Sequence, residues 1–184
     1  DRVVPYEVIE RMYKNWNTPY WFEGWNEIEI KKQDNISERY AMYWLKNYWN
    51  YEQDNPHHSL TLGQHCRYVG HALNGNRTLM FAGYLHDCGK PFTKSFINSK
   101  VEETDVAHYY QHHCVGAYDS LFFRYPDEVD KLDVSVLINL HMMPYFWEKD
   151  KEHGEKTRQK YQKLWGDKLY NNVMKLHEAD KNAH

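Results

Sequence analysis

The stretch Tyr84-Leu85-His86-Asp87-Cys88-Gly89-Lys90-Pro91 sets an imidazole beside a carboxylate after an apolar helical run, then turns at Gly89 and Pro91. Adjacent residues on a helix project about 100° apart. His86 and Asp87 therefore meet one ion only if it sits off that edge and other segments complete the shell. His65 upstream, and His112, His141 and Asp180 downstream, each on an expected helix, are the residues able to do so. Imidazole suits Zn, Fe, Ni, Co or Mn, and carboxylate extends the choice towards Mn and Mg. The set can hold one or two divalent ions.

Around this centre the pattern is helical. Thr61 can cap a helix carrying Leu62, Cys66, Val69 and Leu73 on one side, with His65 one turn in. The next helix begins near Arg77 and ends at His86-Asp87. A polar loop over about 92–105 precedes a helix over 107–124, stopped by Pro126. Another covers about 127–142, stopped by Pro144. The charged stretch 145–158 reads as exposed surface, and helices over about 158–165 and 167–182 finish the chain. Upstream, Ser37 can cap a helix running to about Trp49. Before it, Pro5 to Trp16 has helical spacing, and Glu27-Ile28-Glu29-Ile30-Lys31 alternates as a strand does. A lone strand cannot satisfy its own backbone, so this one needs a partner.

Composition narrows the function classes. At 184 residues the chain is long enough for one buried core. Mean hydropathy is −0.92, and no run approaches the ~18 apolar residues of a membrane span. No membrane association is expected. Net charge is −3, so any nucleic acid is gripped at an end rather than wrapped. Three cysteines without CxxC spacing favour reduced thiols in the cytoplasm.

The ordered set His65, His86-Asp87 and Asp180 resembles the signature of the HD-domain metal-dependent phosphohydrolases, and the added His112 and His141 are similar to its two-metal subgroups. The wording His86-Asp-Cys-Gly-Lys-Pro91, His141-Met142 and Ala179-Asp180-Lys-Asn-Ala183 is similar to the HD domain attached to bacterial CCA-adding enzymes. The resemblance covers about residues 55–184. Residues 1–30, from Val4-Pro5-Tyr6-Glu7-Val8-Ile9-Glu10-Arg11-Met12 to Glu23-Gly24-Trp25-Asn26-Glu27-Ile28, resemble the closing segment of a P-loop polynucleotide kinase domain. No GxxxxGK[ST] phosphate loop is present, so this chain is not itself such a kinase. The two resemblances imply a piece or a descendant of a two-domain RNA-end-healing enzyme, with a kinase domain as partner.

The expected fold is an all-α HD helical bundle over 36–184 with a short helix–strand appendage over 1–35. The expected activity is metal-dependent removal of a terminal 3′-phosphate, or opening of a 2′,3′-cyclic phosphate, at nucleic-acid ends. The alternatives are a hydrolase of free (deoxy)nucleotides and a degenerate HD binding module. The resemblance implies that His65, His86, Asp87 and Asp180 hold one ion and that Asp87, His112 and His141 hold the second. Lys90, just past the turn, offsets charge on the phosphoryl group. His58, Lys94 and His108 are candidate substrate contacts, with His108 expected one helical turn before His112. The bland reading of each histidine is a packed or surface residue, and of the aromatic stripes a core.

Overall fold

Pro5 has no backbone N–H to leave unsatisfied, and it precedes α1 (Tyr6–Lys14). The computed structural model describes residues 3–31, 39–56 and 58–183. The chain continues through a single 3₁₀ turn (Trp21–Glu23) to β1 (Arg39–Tyr40), α2 (Ala41–Asn47), α3 (Leu62–Ala72) and α4 (Arg77–Leu85). Then come α5 (Lys90–Thr93), β2 (Lys94–Ile97), β3 (Glu103–Tyr109), α6 (His112–Ser120) and β4 (Phe123–Arg124). The chain ends with α7 (Lys131–Leu140), α8 (Met143–Lys149) and α9 (Gly154–Lys181), the last broken at Gly166 (φ 75°). The expected Ser37 cap and the boundary at 35/36 lie outside the described residues.

Local chemistry explains the helix starts. Gln64 reaches back to the Thr61 N–H at 3.3 Å, while the Thr61 hydroxyl donates to the Trp49 carbonyl. Asn76 accepts from Leu79 N, and Asp130 accepts from Leu132 N and Asp133 N. Leu62 and Val69 of α3, Leu85 of α4, Val134, Leu137 and Ile138 of α7, and Val173 and Leu176 of α9 form the core, each 2% exposed or less. α3 crosses α4 backbone to backbone: a Cβ on Gly83 would lie 2.9 Å from the Gly70 Cα. That approach brings the ends bearing His65 and His86 together.

Three expectations change. The fold is predominantly helical, but β1 pairs in parallel with β4 and β2 pairs antiparallel with β3, so all-α holds only approximately. The helix expected over 107–124 is split. Residues through Tyr109 belong to β3, whose Thr104 and Val106 suit a ladder and find one in β2. Gln111, left-handed at φ 60°, then ends the strand and caps α6. α7 ends before Pro144, but Pro144 sits in the first turn of a further helix, α8, and Trp147, in the stretch expected to be exposed, is buried against Tyr161 and Trp165. The alternating residues 27–31 form no ladder with any described segment. Without a partner for its peptide groups, alternation alone makes no strand.

The turn after Asp87 lies directly on the first turn of α6. A Cβ on Gly89 would sit 2.1 Å from the His112 carbonyl and 2.7 Å from Gly116 N, both backbone atoms. Gly89→Ala is therefore expected to cost about 2–3 kcal/mol in urea unfolding, because α6 has to shift.

The N-terminal arm is seated on the helices: Tyr13 and Trp16 set their ring edges on Tyr118, and the Tyr13 hydroxyl donates to Asp119 at 2.8 Å. Burial pushes the Asp119 carboxyl up to about 6, against the Tyr13 hydrogen bond, which pulls it down. A carboxyl raised on folding contributes stability fully below its unfolded value near 4, and that contribution is lost as pH rises through about 6. Asp119→Asn, which keeps the acceptor for Tyr13, should remove this slope. It should stabilise the protein at pH 7–8 by about 1 kcal/mol, discounted for the solvent still reaching this half-buried group. Melts across pH 4–8 check it.

Candidate metal centre

Each ligand candidate sits at or near the end of an element. His65 is one turn into α3, His86 and His141 follow the last residues of α4 and α7, and His112 is the first residue of α6. Helix ends have free carbonyls, and the rings use them. His86 Nδ1 meets Gly83 O at 2.8 Å, His112 Nδ1 meets Tyr109 O at 2.7 Å, and His141 Nδ1 meets Ile138 O at 2.7 Å. His65 Nδ1 meets Ala183 O at 3.0 Å, just past the end of α9. A carbonyl only accepts, so every Nδ1 carries a proton and every neutral ring turns a bare Nε2 lone pair inward.

Those lone pairs meet in two couples. His65 Nε2 and His86 Nε2 are 3.1 Å apart, and His112 Nε2 and His141 Nε2 are 3.2 Å apart. Asp87 lies between the couples and offers one oxygen to each. Its Oδ2 is 3.6 Å from His65 and 3.3 Å from His86; its Oδ1 is 3.2 Å from His112 and 3.9 Å from His141. Asp180 Oδ1 joins the first couple, 2.9 Å from His65 and 3.4 Å from His86. The hydroxyl of Tyr145 donates to its other oxygen at 3.1 Å. Two lone pairs at such a distance repel unless a proton or a cation lies between them. The ring orientation set by Nδ1–carbonyl bonds is what metal-ligating histidines use. Two donor groups, His65–His86–Asp87 and Asp87–His112–His141, are each compact enough to hold an ion, and all five residues are buried. The residues fit divalent metal.

The electrostatics agree. Burial alone would raise Asp87, but Lys90 and His86 hold it well below the usual carboxylate range. Burial would likewise raise Asp180, and His86 and the His65 hydrogen bond hold it low. Burial, then His112 and His86, push His141 well below the usual histidine range. Burial works against charge on His86, yet Asp87 and Asp180 push it well above that range. Ionised carboxylates and neutral imidazoles are ligating states, and a cation competes with the proton His86 favours.

His65, Asp87, His112, His141 and Asp180 floor a cleft of about 490 Å³, walled by His58, Lys90, His108, Tyr110, His113, Tyr145, Phe146 and Lys149 among others. A wider groove of about 830 Å³, running from Tyr40 to Glu128, holds none of the six candidate ligands. Lys90 is 4% exposed, and its ammonium donates to Asp87 Oδ2 at 2.7 Å and Gln53 Oε1 at 2.8 Å, with His58 Nε2 at 3.2 Å. Burial first, then Lys90, push His58 down to about 4, so it faces the cleft neutral. His108 lines the cleft from β3, not from a helix turn below His112, with its ring parallel to Tyr110 at 5.5 Å. Lys94 is not among the residues lining the cleft; its ammonium pairs with Asp54 and the Glu52 carbonyl beside the hairpin.

Sequence reasoning missed Gln53. It is buried, it holds Lys90, and its own carbonyl receives the Tyr109 hydroxyl. No motif marks it. Tyr145 likewise carries no motif, and its hydroxyl on Asp180 is a tertiary fact.

The family model of the HD domain matches residues 57–183, the segment that carries all six candidate ligands. The chain belongs to the HD-domain family. No curated protein and no solved structure matches it. HD domains are generally metal-dependent hydrolases, and the His/Asp groups of this HD domain are placed as such chemistry requires. Among the described residues, no helix is long and apolar enough to cross a membrane.

Mn(II), Co(II) or Zn(II) at about 100-fold over Kd should add roughly 2.7 kcal/mol to unfolding. This would be read as a rise in Tm that EDTA reverses. Asp87→Ala should remove most of the rise, because both couples use that carboxylate.

Proposed function

We propose that this HD domain is a phosphohydrolase acting at nucleic-acid ends, removing a 3′-phosphate or opening a 2′,3′-cyclic phosphate. The observation that carries the hydrolytic part is Asp87 between two couples of facing imidazoles, one carboxylate oxygen to each. The choice of a nucleic-acid end is supported by the similarity of residues 1–30 to a polynucleotide kinase tail and of 55–184 to the HD domain of CCA-adding enzymes.

In this reading His65, His86, Asp87 and Asp180 would hold one ion, and Asp87, His112 and His141 would hold the other. Bound divalent ions acidify water and polarise phosphate oxygens. The chain's own groups set the stage for that. Lys90, fixed by Gln53 and His58, keeps Asp87 ionised and places positive charge beside the phosphoryl oxygens. Tyr145 orients Asp180. His58 and His108 face the substrate from the wall, while Lys94, paired outside, serves the hairpin. In the reaction a water oxygen bonds to phosphorus as the bond to the ribose oxygen breaks. The water's proton passes to solvent, and the departing oxygen takes one up.

A second reading is hydrolysis of free nucleotides, favoured by a cleft volume that suits a ligand of mononucleotide size. One experiment separates the two. The protein is loaded with Mn, Co, Ni or Zn and offered oligonucleotides ending in 3′-phosphate or 2′,3′-cyclic phosphate, beside mononucleotides. Faster turnover of the ends is expected, with a fall of at least about 100-fold in Asp87→Ala. Preference for mononucleotides selects the second reading. Folded, metal-loaded protein that releases no phosphate and opens no ring would sink both.

A further inference from the structure

The arm at residues 13–20 grips the protein through a buried polar chain. Trp16 Nε1 donates to Thr18 Oγ1 at 3.1 Å, and Thr18 Oγ1 lies 2.7 Å from Ser135 Oγ. Ser135 spends its own proton on the Ala117 carbonyl at 2.8 Å, so the Thr18 hydroxyl is the donor between the two. The chain runs in one direction from the arm through α7 to α6. Beside it, Asn139 closes a second loop: its Oδ1 accepts from Thr18 N at 3.3 Å, and its Nδ2 donates to the Trp16 carbonyl at 3.1 Å. The same Nδ2 also reaches Cys114 Sγ of α6 at 3.8 Å. Thr18, Ser135 and Asn139 are all buried. Outside this knot, Gln111 Nε2 donates to Asn15 Oδ1 at 2.9 Å, Tyr13 donates to Asp119, and Tyr20 donates to Asp133.

These partners are unevenly placed. Gln111 adjoins His112, and Asn139 stands two residues before His141. Ser135 and Asp133 are on α7, and Ala117 and Asp119 are on α6. Among the described residues, hydrogen bonds from residues 13–20 to other segments reach α6, α7 and Gln111, and none reaches α3, α4 or α9. The other couple is held elsewhere: His65 by Ala183, His86 by Gly83, and Asp180 by Tyr145. Only one half of the centre leans on the arm.

We propose that residues 13–20 are a positioning element for His112 and His141, tying α6 to α7 so that the second couple keeps its spacing. The inference rests on the two-ion reading of the centre. Its consequence is that weakening the tie loosens one ion and leaves the other. Ligand geometry depends on such supporting contacts, whose loss costs about 10–100-fold in metal affinity.

Cobalt(II) titration of the full chain, followed by calorimetry and visible absorption, tests it. Wild type should take up two ions, and His112→Ala identifies the one belonging to the second couple. Thr18→Val, which keeps the shape and removes the hydroxyl, and Asn139→Ala should each weaken that ion by about tenfold. The affinity and spectrum of the other ion should stay as they are. Thr18→Ser should restore wild-type binding. Asn15→Ala, at an exposed position, breaks the Gln111 contact together with a local bond from Asn15 Nδ2 to the Arg11 carbonyl, and should act in the same direction but less, which covers the case in which the buried variants fail to fold. Equal weakening of both ions, or of neither, overturns the proposal alone. Uptake of fewer than two ions by wild type overturns the two-ion reading, and this proposal with it.

Discussion

Four imidazoles share one buried space with their Nε2 atoms turned toward each other, and the rest of the centre follows from how that is tolerated. The Nδ1 atoms face backbone carbonyls, so the rings cannot relieve the repulsion by changing tautomer. Relief has to come from positive charge. Asp87 and Asp180 make such charge welcome, and Lys90 prevents the carboxylates from carrying an unmatched excess.

The construction relies on where helices stop. Three of the four rings bond the carbonyl three residues back, at the end of α4, the end of α7 and the strand-to-helix corner before α6. Carbonyls that would otherwise need water thereby become the fixtures of the ligands. Close approach does the rest. Gly70 and Gly83 let α3 and α4 touch, and Gly89 lets the turn after Asp87 rest on the backbone of α6. The hairpin adds a lateral brace: Ala107 N bonds Asp54 O and the Tyr109 hydroxyl bonds Gln53 O, and Gln53 then fixes Lys90. The arm braces the opposite side through Thr18 and Asn139.

Much of this was legible in the chain itself. The capping at Thr61, the helix ending at His86-Asp87 and the break at Gly166 follow from local chemistry, which sequence expresses directly. The six candidate ligands could be named because imidazoles and carboxylates on successive helices form a pattern that survives without coordinates. The hairpin was not legible: the segment after residue 92 has no decisive period, and β3 exists because β2 lies beside it. The same dependence on a partner left residues 27–31 without a ladder.

What the sequence by itself determined is therefore the inventory: the donor types, their order and the helices that carry them, since each depends on near neighbours along the chain. Tertiary structure alone decided that Asp87 points one oxygen at each couple, that Lys90 is spent on Asp87, Gln53 and His58 while Lys94 turns to Asp54, and that the arm hydrogen-bonds to α6 and α7. Those outcomes depend on distances between residues up to 123 positions apart, and no local pattern encodes such a distance.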